Sequence, residues 1–207
     1  MVHYSKSDLD NLPTRYKSNL INSCTGYKSC NLLGTISGKG ITNLAIFNSI
    51  IHIGSNPALL GFILRPLTVR RDTYENLRQN GDFTLNHVNK SILEQAHQTS
   101  AKYEKGISEF EKTGLTPEYL DDFRAPYVKE SIIKLGCRYE NAYEIKENGC
   151  LLIIGSIRHI YLPKTIQHTD GWVQLDKAQT LSAIGLDGYA LPELLARLAY
   201  ARPDEFK

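Results

Sequence analysis

Residues 42–49 combine hydrogen-bonding and apolar side chains in a pattern that neither an alternating strand nor a fully buried strand requires. Thr42, Asn43, Asn48 and Ser49 offer both donors and acceptors, and the residues between them are apolar. Such a surface suits a flat heterocycle with a hydrogen-bonding edge. The alternative is a strand whose amides and hydroxyls simply face water.

Two adjacent cations, Arg70 and Arg71, stand at the start of a predicted helix. The free N–H groups of a helix N-terminus carry partial positive charge and bind phosphate readily. Arg71 adds a bidentate donor and Thr73 a hydroxyl. Arg65, at the end of an apolar run, is a second phosphate candidate. A ring site followed by an anion site is typical of a nucleotide-like ligand, although an ordinary capped helix with solvated arginines has the same pattern.

Strands dominate the predicted secondary structure. Apolar runs punctuated by glycines predict strands at 30–36, 42–53, 58–64, 83–88, 131–145 and 151–162. A helix is predicted to begin at Asp72 as its N-cap, with Glu75 completing a capping box, and to end before Gly81. These elements together predict a closed or nearly closed antiparallel sheet.

The two ends of the chain differ in character. Residues 1–28 are polar and hold few apolar anchors, so we expect an N-terminal arm that wraps over the surface or over a partner subunit. Leucines recur at helical spacing near the other end, and Pro192 suits a first turn. A C-terminal helix is therefore predicted over residues 190–200, with the apolar stripe Leu191, Leu194, Leu195 and Leu198. We expect residues 1–207 to form a single domain.

Composition excludes several classes of function. The chain has 24 Lys and Arg against 22 Asp and Glu, a formal charge of +2, so no basic field indicates nucleic-acid binding. No apolar run approaches the roughly 18 residues of a membrane helix, and residues 1–8 lack the core of a signal peptide, so we expect no membrane partner and a cytoplasmic location. The four cysteines lack metal-type spacing and the six histidines form no constellation, so no metal site is predicted.

Four segments together resemble, in order, the flavin reductase-like, FMN-binding split-barrel family, which includes flavoredoxin. They span roughly residues 30 to 160. The segments are Gly40-x-x-Asn43-Leu44-Ala45, then Arg71-Asp72-Thr73-x-x-Asn76-Leu77 running into residues 81–86, then Glu109-Phe110-Glu111-x-x-Gly114-Leu115-Thr116, and finally the strand 151–157 with Gly155. The resemblance implies a mainly β fold, an antiparallel and Greek-key-like split barrel with short helices.

The resemblance also implies a cofactor, an assembly and a set of contacts. The cofactor is FMN, held at the interface of a homodimer. The flavin-side segment is Asn43, Leu44, Ala45, Ile46, Phe47, Asn48 and Ser49. Arg71 and Thr73 correspond to the phosphate site. Ser100 and Lys102 lie in a loop that reaches toward the flavin in the family, although Lys102 also fits a solvated charge.

The implied activity is that of a flavoprotein oxidoreductase. It would move electrons between a reduced donor, NAD(P)H being one candidate, and flavin or another acceptor. Hydride transfer to a flavin needs no nucleophile or acid–base side chain, so no catalytic residue is predicted. Many NAD(P)H-using members carry a histidine where this chain has Cys150. Two alternatives therefore stay open: an FMN electron carrier that serves a redox partner protein without NAD(P)H activity, and a barrel that binds another phosphate-bearing ligand.

Overall fold

The computed structural model describes residues 1–203 and is built mainly from antiparallel strands. The α-helices are α1 (Lys6–Asn11), α2 (Thr14–Cys24), α3 (Asp72–Asn80), α4 (Leu93–Gln98) and α5 (Glu109–Thr113). The strands are β1 (Lys28–Ser29), β2 (Asn31–Ile36), β3 (Thr42–Phe47), β4 (Ile51–Ser55), β5 (Ala58–Leu64), β6 (Asp82–His87), β7 (Pro117–Glu118), β8 (Tyr127–Val128), β9 (Lys134–Ile145), β10 (Cys150–Tyr161), β11 (Ser182–Ile184) and β12 (Gly188–Ala190). Short 3-10 helices lie at Lys90–Ile92 and Lys164–Ile166.

Seven strands form the main sheet in the order β3-β2-β6-β9-β10-β5-β4, and every neighbouring pair is antiparallel. This confirms the mainly β, antiparallel expectation. Two small sheets, β1-β11-β12 and β7-β8, flank it. The strands β3 and β4 are the edges of the main sheet, so the outward backbone groups of both lack a neighbouring strand.

The core lies on both faces of β2. Leu32 packs in one apolar cluster and Leu33 in another, because successive side chains of a strand point to opposite faces of the sheet. In the second cluster Phe62 meets Phe47 and Phe83 edge to face, with ring centroids 5.2 and 5.7 Å apart. The β3 strand is thus held from both sides of the sheet, which fixes the segment that the sequence assigns to the ligand.

The strand predicted over residues 42–53 is interrupted, and its two parts are β3 and β4. Ser49 explains the break. Its hydroxyl donates to the Ile63 carbonyl and accepts the Ile63 amide, both at 3.2 Å. A side chain therefore takes the place of backbone hydrogen bonds to β5 at this point. The chain leaves its pairing with β2 at the end of β3 and pairs with β5 as β4.

The N-terminal arm is helical, although it was predicted only as a polar wrap. Ser5 caps α1 with a reciprocal bond to Asp8, and neither α1 nor α2 buries a residue fully. An ion pair of 3.0 Å between Arg15 and Asp187 ties α2 to the β11–β12 turn. This exposed ion pair links the arm to the small three-stranded sheet.

The predicted C-terminal helix over residues 190–200 is wrong. The strand β12 ends at Ala190, and residues 191–200 carry no helix or strand. An amphipathic helix draws most of its stability from packing its apolar stripe, and here Leu195 is 95% and Leu198 is 87% exposed. The segment is held instead by Arg197, which pairs with Asp170 at 2.5 Å and lies 4.9 Å over the Trp172 ring.

Residues 1–203 contain neither a membrane-spanning helix nor a cluster of metal ligands. No helix in this range is long and apolar enough to cross a bilayer. No group of three or more His, Cys, Asp or Glu side chains in the same range could hold a metal ion.

Candidate functional site

The outer edge of β3 presents backbone amides away from the sheet. The Leu44 amide donates to Oε2 of Glu109 at 2.8 Å, so it points away from the neighbouring strand β2. Since the direction of backbone groups alternates along a strand, the Ile46 amide points to the same open side. The edge of β3 therefore offers a hydrogen-bond donor near the side chains of residues 43–49.

A polar network joins β3 to the start of α3. Asn43 donates through Nδ2 to the hydroxyl of Thr73 at 3.1 Å and to the hydroxyl of Thr35 at 3.2 Å. Asn76 donates to the same Thr35 hydroxyl at 3.0 Å. Thr35, Thr73 and Asn76 are buried. The network brings two predicted site residues, Asn43 and Thr73, into direct contact.

The start of α3 differs from its prediction. Arg71 is the N-cap and makes no side-chain capping bond, so the predicted Asp72–Glu75 capping box is wrong. Both carboxylates pair instead with Arg70, at 2.9 Å from Asp72 and 2.6 Å from Glu75. Asp72 and Glu75 lie two and five positions after Arg70. This spacing suits ion pairs with the arginine as well as it suits a capping box.

Arg71 is left without a counter-ion. It is half-buried, and within residues 1–203 its guanidinium has no carboxylate or hydrogen-bond partner. Its Nε atom is buried and unpaired. An orphaned guanidinium is costly unless an acceptor reaches it. The site therefore fits an anionic group, and the carboxylates nearby do not compete because Arg70 already binds them.

A cavity of about 480 Å³ opens beside this helix start. This volume lies in the ordinary range of small-molecule sites. Three segments line it: the β2–β3 hairpin, the first turns of α3 and the loop 105–107. The polar and charged lining includes Asn43, Asn76, Lys39, Lys105 and Arg70 with its two partners Asp72 and Glu75. The cavity thus adjoins the polar network and carries charges of both signs, and neither Arg71 nor Thr73 lines it.

The side chains of some predicted site residues pack in or against the core. Leu44 is fully buried in one cluster, Ile46 packs against that cluster, and Phe47 packs on Phe62. Ala45 pairs with Leu33 across the ladder between β2 and β3. Their side chains fix the strand, so any contact with a ligand would come mainly from the backbone.

The remaining predicted residues are not brought to the helix start by any contact. Ser49 is engaged with β5, and Asn48 is half-buried without a side-chain hydrogen bond in the described chain. Arg65, Ser100 and Lys102 are exposed and likewise make no ion pair or side-chain hydrogen bond within residues 1–203. Their assignment to the ligand stays a prediction.

Sequence reasoning did not assign a role to Glu109. Its carboxylate meets β3 across 65 positions of chain, a distance that no local pattern reveals. Burial raises the pKa of the Glu109 carboxyl, an effect that the bond from the Leu44 amide opposes and the nearby Asp72 charge adds to. The only signal in the sequence was that Glu109 opens the third segment of the family motif.

Comparison with known proteins places these features in a family. The flavin reductase like domain matches residues 25–178. A crystal structure from Shewanella frigidimarina NCIMB 400, provisionally named a flavin reductase with split barrel domain, is 48% identical, covers 97% of this chain and 100% of that chain, and has a TM-score of 0.94.

Two further structures are similar at low identity. Nitrilotriacetate monooxygenase component B from Bacillus cereus is 20% identical over 96% of this chain and 98% of that chain, with a TM-score of 0.83. An FMN-binding protein from Thermus thermophilus, solved with bound 1-cyclohex-2-enone, is 13% identical over 84% and 93% of the two chains, with a TM-score of 0.70. At these identities the similarity shows the fold alone.

Proposed function

The chain belongs to the flavin reductase like family, and from this membership we propose that it binds FMN and moves electrons between a reduced donor and flavin or another acceptor. The observation that carries the proposal is the unpaired Arg71 at the start of α3. Asn43 joins the same helix start to β3 through its bond to Thr73. The orphaned Nε of Arg71 supports a phosphate at this site. The name of the Thermus relative supports FMN as the flavin.

The proposed roles divide the site in two. Arg71 binds the phosphate, with the free amides at the start of α3 and the Thr73 hydroxyl beside it. The β3 edge, through the Ile46 amide and the side chains of Asn43 and Asn48, holds the polar edge of the ring. The flavin, when bound, supplies the hydride and electron chemistry. The residues of the chain bind and orient it, and none is required as an acid, base or nucleophile.

Recovery of the cofactor tests this proposal. We expect the purified protein to be yellow, and the flavin released by denaturation to be FMN. If the protein is isolated colourless, titration of the apoprotein with FMN should quench the fluorescence of the flavin at a one-to-one ratio. A colourless protein that leaves FMN fluorescence unchanged would contradict the proposal and would favour the alternative of another phosphate-bearing ligand.

A second candidate is an FMN electron carrier without NAD(P)H activity. Cys150, which occupies the position of a histidine in many NAD(P)H-using members, is half-buried at the first residue of β10. A thiol cannot supply the donor or the charge of an imidazole. On this view a reduced partner protein would replace NAD(P)H.

Anaerobic stopped-flow reduction separates the reductase from the carrier. If the carrier candidate is right, NADH and NADPH should bleach the bound flavin slowly, and Cys150→His should accelerate bleaching while the affinity for FMN stays the same. Rapid bleaching of the unmodified protein, at about 1–1,000 per second as for ordinary enzymes, would exclude the carrier.

We also propose that the protein is a homodimer with the flavin at the subunit interface. The exposed edge strands support this assembly. β3, which carries most of the flavin-side segment (residues 43–49), is one edge of the main sheet. β4, at the other edge, exposes Ile51 (45%) and Ile53 (42%). Edge strands with exposed apolar residues are unfavourable in an isolated chain, and a second subunit would cover them.

A further inference from the structure

The segment Ser108–Phe110 meets β3 at consecutive residues. The Ser108 hydroxyl lies 2.6 Å from the Thr42 hydroxyl. The Glu109 carboxylate accepts the Leu44 amide at 2.8 Å. The Phe110 ring belongs to the same core cluster as the Leu44 side chain. The loop that leads into α5 is therefore fastened to both the backbone and the side chains of the edge strand.

These contacts occupy one part of the β3 edge and leave the next part open. An edge strand has no neighbouring strand on its outer side. It can therefore shift or twist unless other contacts fix its outward backbone groups. Glu109 binds the outward amide of Leu44, two residues before the outward amide of Ile46. Thr42 and Leu44 are held, so the position of Ile46 follows from the strand geometry.

We propose that Glu109 is a positioning residue for the flavin ring. Its carboxylate, assisted by Ser108, holds β3 so that the Ile46 amide and the Asn48 side chain face the polar edge of the ring. Glu109 touches β3 and acts on the ligand through it. This inference rests on the proposed function, because it needs a flavin on β3.

The carboxylate carries a cost that a purely structural contact would avoid. Burial disfavours the ionised form of Glu109, and Asp72 lies near enough to repel it. An amide or a hydroxyl could bind the Leu44 amide without that penalty. A strong acceptor is explained if the strand must be held tightly, because bonds to charged acceptors are shorter and stronger than neutral ones.

Four variants test the inference. Glu109→Ala removes the acceptor, and Glu109→Gln keeps one without the charge. Glu111→Ala is the matched control, because Glu111 is exposed on the same helix and makes no ion pair or side-chain hydrogen bond in the described chain. Ser108→Ala removes only the bond to Thr42, so it is informative if Glu109→Ala does not fold. Affinity for FMN and for riboflavin is measured for each folded variant, together with the circular dichroism of the bound flavin.

The expected result is a change at the ring. Glu109→Ala should weaken FMN and riboflavin alike, by about tenfold, as expected for loss of a bond to a charged group, and should alter the visible circular dichroism of the bound flavin. Glu109→Gln should lie between Glu109→Ala and the unmodified protein, with a several-fold loss, because its acceptor is neutral and therefore weaker. Ser108→Ala should also lose several-fold. Glu111→Ala should match the unmodified protein.

Three results would overturn it. Flavin affinity and dichroism in Glu109→Ala equal to those of Glu111→Ala would show that the contact serves the fold alone. If Glu109→Ala does not fold, unchanged affinity and dichroism in Glu109→Gln and Ser108→Ala would show the same. Failure of the unmodified protein to bind either flavin would overturn the proposed function, and this inference with it. The first two results leave flavin binding intact, so the two failures can be told apart.

Discussion

At the scale of single residues, the two arginines before α3 differ in what neutralises them. Arg70 binds two carboxylates, whereas Arg71 has none within residues 1–203 and keeps a buried, unpaired Nε. Arg70 pairs with both nearby carboxylates and offsets part of their charge, and the guanidinium of Arg71 stays available for an anion. Because Arg70 pairs with the carboxylates and Arg71 does not, an anion site can lie next to acidic side chains.

His87 gives a prediction at the same scale. Burial lowers its pKa to about 4 from 6.5, and its Nδ1 has no hydrogen-bond partner. The unfolded chain takes up the proton below 6.5 while the folded chain does not until about 4, so stability is lost as pH falls through this window. Between about pH 7.5 and about pH 5 this residue should cost about 2 kcal/mol of unfolding free energy.

Urea unfolding of matched variants measures this effect. His87→Gln should lack that part of the pH dependence, whatever its absolute stability. His52→Gln, at an exposed histidine on β4, should keep the pH dependence of the unmodified protein. Parallel pH profiles for His87→Gln and the unmodified protein would show that folding does not lower the pKa of His87.

At the scale of elements, α3 is placed by buried side chains rather than by its cap. Thr35 on β2 accepts bonds from Asn43 on β3 and from Asn76 on α3, and so joins three elements. The helix then ends at Gly81, whose φ of 77° favours glycine. The direction in which the start of α3 points, and with it Arg71, depends on this network.

Asn76→Leu should therefore destabilise the protein. It removes one bond to the Thr35 hydroxyl and places an apolar side chain among polar atoms, with an expected loss of about 1–3 kcal/mol in unfolding free energy. The control is Gln79→Ala on the exposed face of the same helix, which removes only a long, exposed bond of 3.4 Å from the Gly38 amide and should change stability by less than about 0.5 kcal/mol. Equal stabilities for the two variants would show that the network does not hold α3.

The strands and the helix end at Gly81 could be predicted because apolar runs and glycines are local signals. The cap of α3 could not, because Asp72 and Glu75 satisfy the sequence pattern of a capping box while their carboxylates bind Arg70 in space. Spacing alone over-predicts the C-terminal helix, because Leu195 and Leu198 find no surface to pack on within the chain. The role of Glu109 depends on a contact between distant segments.

At the scale of the whole molecule, one chain leaves much apolar surface uncovered. Both edges of the main sheet are open, and the C-terminal leucines are exposed. Large exposed apolar areas usually mark interaction sites. A dimer that covers the β3 edge would also enclose a ring bound there, which explains how a small sheet could bury a large planar ligand.

Sedimentation velocity tests the dimer. The protein with FMN bound should sediment as a dimer at micromolar concentration. Ile51→Lys with Ile53→Lys, both on the exposed β4, should weaken the association, and Lys146→Ala, an exposed residue of the β9–β10 turn, should not. A compact monomer of the unmodified protein that retains FMN would contradict the proposed assembly.

Binding of the FMN phosphate by Arg71 can be measured by calorimetric titration of the unmodified protein and of Arg71→Ala with FMN and with riboflavin. Arg71→Ala should weaken FMN by roughly 1.5–3 kcal/mol, the scale of a bond to a charged group. Riboflavin, which lacks the phosphate, should bind both proteins equally. An equal loss for the two ligands, or no loss for FMN, would show that Arg71 does not bind the phosphate.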